Sequence, residues 1–317
     1  MKSYWMKADA GSAALEVRDV PVPQPGAGQL VLRMHAAGLN RGEFLSAPPG
    51  AWKAIGGEGA GEVTAVGRGV TGFAVGDRVM GRCPAAFSEY AVMDAGEAMR
   101  VPEALTWEMA GAMPMTYIVS YDMLVLQGRL AAGEWVLVNG VASGVGVASL
   151  QIAKVLGAKV IGTSRSRQKL EQLPGLDLAL GASRDFSAAV MEATGGRGAD
   201  LVINAVGGTV FEEGLRSLAY EGRMAIVGYV DGVTRGDLDL LALHGKRNVV
   251  FGVSNKLRTR EQRAATVARF AADLLPHFAA GRLQPKIDQV APFDELPAAK
   301  ARLEADGHVG KLVLRIA

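Results

Sequence analysis

The stretch from Val136 to Arg167 constrains the fold of this 317-residue chain more than any other. It opens on Val136-Leu137-Val138-Asn139 and turns through Gly140, Gly144 and Gly146. A helical pattern over Val147–Leu156 follows, and then Lys159-Val160-Ile161-Gly162-Thr163-Ser164-Arg165-Ser166-Arg167. Apolar strand, glycine turn, helix and second apolar strand in about thirty residues is the size of one βαβ unit. A helix that starts at such a turn presents free N–H groups and the positive end of its dipole, which favours the pyrophosphate of a dinucleotide. Glycine there removes the Cβ that would hold the backbone away from the phosphate.

The strict Gly-x-Gly-x-x-Gly fingerprint is not met. Ending it on Gly146 puts Val141 and Ser143 at the first two glycine positions. On the turn alone, a plain strand-to-helix connection stays open. The end of the second strand narrows the choice. Proteins that bind NAD carry an acid about twenty positions on, where it holds the ribose 2′-hydroxyl. Here that place is Ser164, followed by Arg165, Arg167 and Lys169. A carboxylate would repel a 2′-phosphate, whereas Ser with Arg and Lys can donate charge-assisted hydrogen bonds to it. Arg165 is best placed; Arg167 and Lys169 read equally well as solvated surface charge. The expected cofactor is NADPH/NADP+.

The rest of the chain divides around this stretch. Residues up to about 110 read as short strands between turns, which suggests a barrel or sandwich. Leu30, Leu32, Met34 and Ala36 alternate with Val31, Arg33 and His35, so His35 shares a face with a charge and reads as half-exposed. Near Pro114 the pattern changes, and Met115–Leu130 predicts a helix. Strands are then predicted over Val136–Asn139, Lys159–Thr163, Asp200–Asn204, Arg223–Val227 and Asn248–Val253. Helices alternate with them around Val147–Leu156, Gln168–Leu173, Phe211–Leu218 and Leu238–His244. Alternation of this kind predicts a parallel sheet covered on both faces. Glu261–Ala279 and Leu296–Leu303 predict helices, and Lys311–Ile316 a last strand.

Composition excludes several classes. A formal charge of +2 offers no case for nucleic acid or an acidic membrane surface. No stretch approaches the ~20 apolar residues of a membrane helix. Cys83 is the only cysteine, so an internal disulfide and a four-cysteine zinc site are excluded. The N-terminus, with Lys2, Lys7 and Asp9, does not read as a signal peptide, and the expected compartment is the cytoplasm. Forty-one glycines, roughly twice the usual share of about 7%, indicate many tight turns.

The order and spacing of several motifs resemble the medium-chain dehydrogenase/reductase superfamily, in its zinc-independent quinone oxidoreductase (zeta-crystallin-like) branch. They are Ala36-Ala37-Gly38-Leu39-Asn40, Gly57-Glu58-Gly59-Ala60-Gly61, Val75-Gly76-Asp77-Arg78-Val79, Asn139 to Gly146, Gly195 to Asp200, Ala205-Val206-Gly207-Gly208, Gly222-Arg223 and His308 to Leu314. The resemblance implies an α/β fold: a Rossmann doubly wound parallel sheet plus a GroES-like domain of β-barrel type. It divides the chain into residues 1–115 (GroES-like, substrate side), 116–258 (Rossmann, NADP-binding) and 259–317, which return to complete the β domain.

The resemblance also implies roles. Ala142, Ser143, Gly144, Val145 and Gly146 would meet the pyrophosphate, and Ser164, Arg165 and Lys169 the 2′-phosphate. Ile226, Val227, Gly228 and Tyr229 would face the cofactor groove, and Phe251, Gly252, Val253 and Ser254 the nicotinamide. Val227, Phe251 and Val253 read equally as strand core. Asn40 and Thr116 would flank the nicotinamide and position the substrate, with no general acid identified. Zinc alcohol dehydrogenases of the same superfamily hold their metal with a Cys and a His where this chain has Asn40 and Gly57, so no metal is expected. Many relatives carry a Tyr five positions after Asn40; here Leu45 stands there, and Tyr90, Tyr117 and Tyr121 are the other candidate donors. The expected activity is NADPH-dependent, zinc-independent hydride transfer to quinones or related conjugated carbonyls. Alternatives are an enoyl or 2-alkenal reductase, and an NADPH-binding protein with little turnover and a structural or regulatory role. A homodimer joined through the strand at residues 248–253 is also implied.

Overall fold

The computed structural model describes residues 1–9, 12–44, 50–181 and 185–317; the Leu45 position lies outside them. Numbered in chain order, its strands begin with β1 (Lys2–Asp9), β2 (Ser12–Asp19), β3 (Gln29–Gly38), β4 (Lys53–Ala54), β5 (Glu58–Val66), β6 (Arg78–Arg82), β7 (Tyr90–Asp94) and β8 (Ala98–Arg100). They continue with β9 (Trp135–Asn139), β10 (Lys159–Ser164), β11 (Leu178–Gly181), β12 (Ala199–Asn204), β13 (Leu218–Ile226), β14 (Val249–Gly252), β15 (Ile287–Pro292) and β16 (Lys311–Arg315). The helices are α1 (Arg41–Phe44), α2 (Trp107–Ala112), α3 (Pro114–Tyr121), α4 (Gly144–Val155), α5 (Arg167–Glu171), α6 (Ser187–Ala193), α7 (Phe211–Arg216), α8 (Leu240–Lys246), α9 (Arg260–Ala279) and α10 (Leu296–Glu304). Two compact units result: Met1–Thr116 with Thr259–Ala317, and Tyr117–Arg258.

In the first unit β3 is the central strand. It pairs antiparallel with β5, β7 and β16, within a sheet of order β15-β16-β3-β5-β6-β8. Its alternation is only partly the expected one: Leu30, Leu32, Met34 and Ala36 are buried and Arg33 is exposed, but Val31, on the face of Arg33, is buried too. Half-buried His35 stacks on Trp107, with ring centroids 4.3 Å apart. The C-terminal segment belongs to this unit because β16 lies against β3, pairing Val313 with Gly38 and Leu314 with Ala37.

The second unit is a six-stranded parallel sheet of order β11-β10-β9-β12-β13-β14. The order reverses between β9 and β12, which is the switch point where a doubly wound sheet opens a crevice. Val136, Leu137 and Val138 of β9 and Leu201, Val202 and Ile203 of β12 are all fully buried, as a strand covered on both faces requires.

Several elements differ from expectation, among them β15, where no strand was predicted. β11 and α6 join the fold although four residues ending in glycine and a run of small residues carry too little periodicity to announce them. The helix expected over Met115–Leu130 is α-helical only to Tyr121, and Asp122–Gln127 continues it in wider π-type turns. At its end Gly128 lies close against the Met123 carbonyl; a Cβ at 128 would stand 2.1 Å from that oxygen. Among the described residues no helix is long and apolar enough to cross a membrane.

Candidate functional site

The parallel arrangement of the second unit brings four sequence-predicted segments to the C-terminal ends of their strands. The β9–α4 turn carries Ala142 to Gly146. Val141 N–H donates to Thr163 O at 3.1 Å, which ties this turn to β10. Ser143 is the N-cap of α4, and its Oγ accepts from Gly146 N–H at 3.0 Å. The N–H groups of Gly144 and Val145, the first two residues of the helix, make no recorded bond within the described protein. They are the donors that a helix start leaves for an anion. Gly146 is required by packing: a Cβ there would stand 2.4 Å from Gly140 O and 2.6 Å from Val141 Cα. The departure from the strict fingerprint is therefore local, and the close helix–strand approach that the last glycine serves is kept.

One strand over, Ser164 ends β10 and is buried, and its Oγ accepts from Ser166 N–H at 3.2 Å. Ser166 caps α5 in turn. Arg165 is exposed and Lys169 half-buried, while Arg167 forms a solvent-facing ion pair with Glu171 at 3.5 Å. These basic residues surround the strand end where a carboxylate would stand in an NAD site. The set fits a dinucleotide carrying a 2′-phosphate.

The ends of β13 and β14 face a cavity of about 610 Å³. Ile226, Val227, Tyr229, Gly252, Val253 and Ser254 line it, joined by Lys256, Leu257 and Arg258. Val253 N–H donates to Ile226 O at 3.0 Å, and Val227 N–H to Asn204 O at 3.0 Å, so the two strand ends are fastened to their neighbours. Gly228 keeps the chain close to Ala205, whose oxygen is 3.1 Å from where a Cβ would be. Phe251 lies within β14 and is half-buried rather than a cavity-lining residue. Sequence reasoning missed Lys256, Leu257 and Arg258, which sit past the last predicted strand and belong to no motif. Arg258 is anchored on Asp122 at 3.2 Å.

In the first unit, Asn40 is the hub of a buried polar network. Its Nδ2 donates to Glu43 Oε1 at 2.9 Å and to Glu58 Oε1 at 2.8 Å, and its Oδ1 accepts from Lys311 Nζ at 2.8 Å. Both amide hydrogens are thus engaged inside the protein. Lys311 Nζ also donates to Leu39 O and to Glu58 Oε1, each at 2.7 Å, so all three ammonium hydrogens have acceptors. Glu58 is fully buried, and its Oε2 accepts from Met115 N–H at 2.7 Å, linking the Asn40 network to the start of α3. Thr116 is buried there, with its hydroxyl donating to the Ala112 and Met113 carbonyls at the end of α2.

This donor set does not fit a catalytic zinc. It offers no thiolate and no imidazole, and an ammonium stands at hydrogen-bond distance from the carboxylate that a cation would need. Among the described residues no group of three or more His, Cys, Asp or Glu side chains is placed to hold a metal.

Tyr117 is interior: its hydroxyl donates to Gln151 at 2.8 Å, and burial pushes its pKa upward. Tyr121 is fully buried and Tyr90 half-buried in β7.

Comparison with known proteins agrees with both units. Residues 26–125 match the family described as Alcohol dehydrogenase GroES-like domain, and residues 144–272 match the family described as Zinc-binding dehydrogenase. A mycobacterial protein solved in complex with NADPH superposes with a TM-score of 0.90 at 29% identity, covering 100% of both chains. A quinone oxidoreductase of Pseudomonas syringae pv. Tomato does so with a TM-score of 0.86 at 28% identity, again over 100% of both chains. A phenolphthiocerol/phthiocerol polyketide synthase polypeptide of Mycobacterium tuberculosis is 34% identical over 314 residues, which is 96% of this chain but 14% of that synthase. The chain belongs to the medium-chain dehydrogenase/reductase superfamily and is quinone oxidoreductase-like. Its fold is the one that superfamily shares.

Proposed function

We propose that the protein is a zinc-independent, NADPH-dependent reductase of quinones or related conjugated carbonyls. The β10 end carries this reading: Ser164, Arg165 and Lys169 cluster where an NAD site would place an acid. NADPH, when bound, supplies hydride from C4 of its nicotinamide. The chain's own residues then have three tasks. Gly144 and Val145 N–H groups hold the pyrophosphate, the basic residues after β10 hold the 2′-phosphate, and the β13 and β14 ends enclose the nicotinamide in a largely apolar cavity. Catalysis is mainly positioning in a site that limits water. The mycobacterial likeness solved with NADPH and the Pseudomonas quinone oxidoreductase support the cofactor and the substrate class. The similarity to a polyketide synthase segment favours a second reading, reduction of an enoyl group. The test is NADPH oxidation followed with benzoquinone, phenanthrenequinone and a 2-alkenal; tight NADPH binding with no turnover of any of them would sink both readings.

The cofactor assignment has its own expected result. Arg165→Ala weakens NADPH binding by roughly 10- to 100-fold, the size of a lost charge-assisted hydrogen bond of about 1.5–3 kcal/mol, and leaves NADH binding within about twofold. Equal losses for both nucleotides by fluorescence titration would remove the 2′-phosphate role.

The proposed quaternary state is a homodimer through β14. This edge strand exposes Val249 and Val250, and the helix before it exposes Leu240 and Leu241, at 69% and 80%. An apolar unpaired edge of this kind invites pairing. Light scattering is expected to give twice the 33.1 kDa chain mass; a monomer at micromolar concentration would refute it.

A further inference from the structure

The cavity at the ends of β13 and β14 has more room and more charge than a nicotinamide ring uses. Its volume of about 610 Å³ falls in the range that holds a drug-sized molecule. Its walls are apolar at Ile226, Val227 and Val253. The segment from Lys256 to Arg258 adds two cations, and none of the described lining residues is an acid.

The two cations differ in what faces them. Arg258 is half-buried, and Asp122 at 3.2 Å matches its charge. Lys256 is exposed, and its ammonium makes no ion pair or hydrogen bond among the described residues. The backbone fixes its place. Ser254 Oγ accepts from the Lys256 N–H at 3.2 Å, and the Arg258 N–H donates to Asn255 O at 3.3 Å. These bonds close a turn whose two central residues are Lys256 and Leu257. Leu257 is 93% exposed, although it lines the cavity. A cation and an unburied leucine therefore stand side by side at the mouth of an apolar cavity. Low-dielectric walls concentrate the field of such a charge, and the leucine leaves water only when an apolar group covers it.

We propose that this mouth recognises the tail of an amphiphilic substrate: a conjugated carbonyl on an apolar chain that ends in a carboxylate or phosphate. Leu257 lies along the chain and Lys256 meets the anion. This rests on the reductase reading above and adds the substrate's tail to it. Every residue it needs belongs to the second unit. Lysine acts as a point charge, so a carboxylate and a phosphate monoester both satisfy it.

The experiment measures kcat and KM with NADPH for three acceptors that share one reacting head. They are oct-1-en-3-one, its ω-carboxylate 6-oxooct-7-enoate, and 8-phosphooxyoct-1-en-3-one. The wild type is expected to favour both anions about tenfold, between the effect of a fully exposed ion pair and that of a buried charged hydrogen bond. The preference lies in KM, because the tail is bound alike before and during the reaction. Lys256→Gln abolishes it, Lys256→Arg keeps it and Lys256→Glu reverses it. Leu257→Ser raises KM for all three acceptors together, as loss of an apolar contact requires. Lys159→Gln removes a charge at the start of β10, at the other end of the sheet, and leaves the preference within about twofold. A gain for only one of the two anions assigns the tail to that group.

Calorimetry repeats the comparison without turnover, using the NADP+ complex with the saturated products octan-3-one and 6-oxooctanoate. A wild-type preference below about twofold, or one that survives Lys256→Gln, overturns the proposal and leaves the reductase reading standing. An equal loss of NADPH affinity in Lys256→Gln by fluorescence titration also overturns it, since the cation would then serve the cofactor. Failure to oxidise NADPH with these acceptors or with benzoquinone overturns the reductase reading instead, and the calorimetry then decides the tail site by itself.

Discussion

Lys311→Met is expected to destabilise the protein by about 3–5 kcal/mol, the usual cost of removing one partner from a buried pair. Glu58 has no exposed side-chain surface and Lys311 only 6%, so neither charge can turn to water when the other is lost. The Leu39 carbonyl and Asn40 Oδ1 lose the same donor. Methionine fills most of the volume, which confines the effect to charge and hydrogen bonding. Glu58→Gln in the same chain should recover a large part of the loss, because the buried negative charge disappears. A double-mutant cycle by urea unfolding measures this directly. Additive effects would show that the two groups do not depend on each other. The same variant is expected to loosen Asn40, since its amide oxygen keeps no cation.

Gly146→Ala is the second large expectation. Its Cβ meets backbone atoms, Gly140 O and Val141, rather than a side-chain tip that could swing away. Helix and strand must part, at about 1–3 kcal/mol for such overpacking. The helix start moves with them, and with it the Gly144 and Val145 N–H groups. NADPH affinity should fall by 10-fold or more by fluorescence titration, well beyond what the stability loss explains. Gly245→Ala is the contrast. It lies in α8 with nothing within 4 Å of the new methyl, and should stabilise by up to about 1 kcal/mol as alanine replaces glycine in a helix. If both variants bound NADPH like wild type, the β9–α4 turn would not be the pyrophosphate site.

Much of the second unit could be read in advance because its signals are local. Strand, turn and helix over residues 136–167 each carry their own periodicity, and a parallel sheet repeats that unit. The expectation of NADPH could be drawn from Ser164 and Arg165 for the same reason, since charge at a strand end needs no tertiary knowledge. The Asn40 network was not legible. Glu43, Glu58 and Lys311 come from α1, β5 and β16, and only the pairing of β16 with β3 brings the last of them near the first. The surroundings of Thr116 were not legible either: its hydroxyl donates to the Ala112 and Met113 carbonyls at the end of the preceding helix. Lys256 and Leu257 were missed because an irregular segment after a strand has no periodicity to read.

The late strand β16 also bears on how the polypeptide emerges from a ribosome. Residues 117–258 form a contiguous unit, complete once they have been made. Strand β3 is synthesised far earlier, yet its neighbour arrives some 272 positions after Leu39. Until then the first unit lacks both a sheet partner and the cation for Glu58. Vectorial synthesis therefore delivers the inserted unit ready to fold, while the unit that flanks it waits with an open edge and an unmet charge.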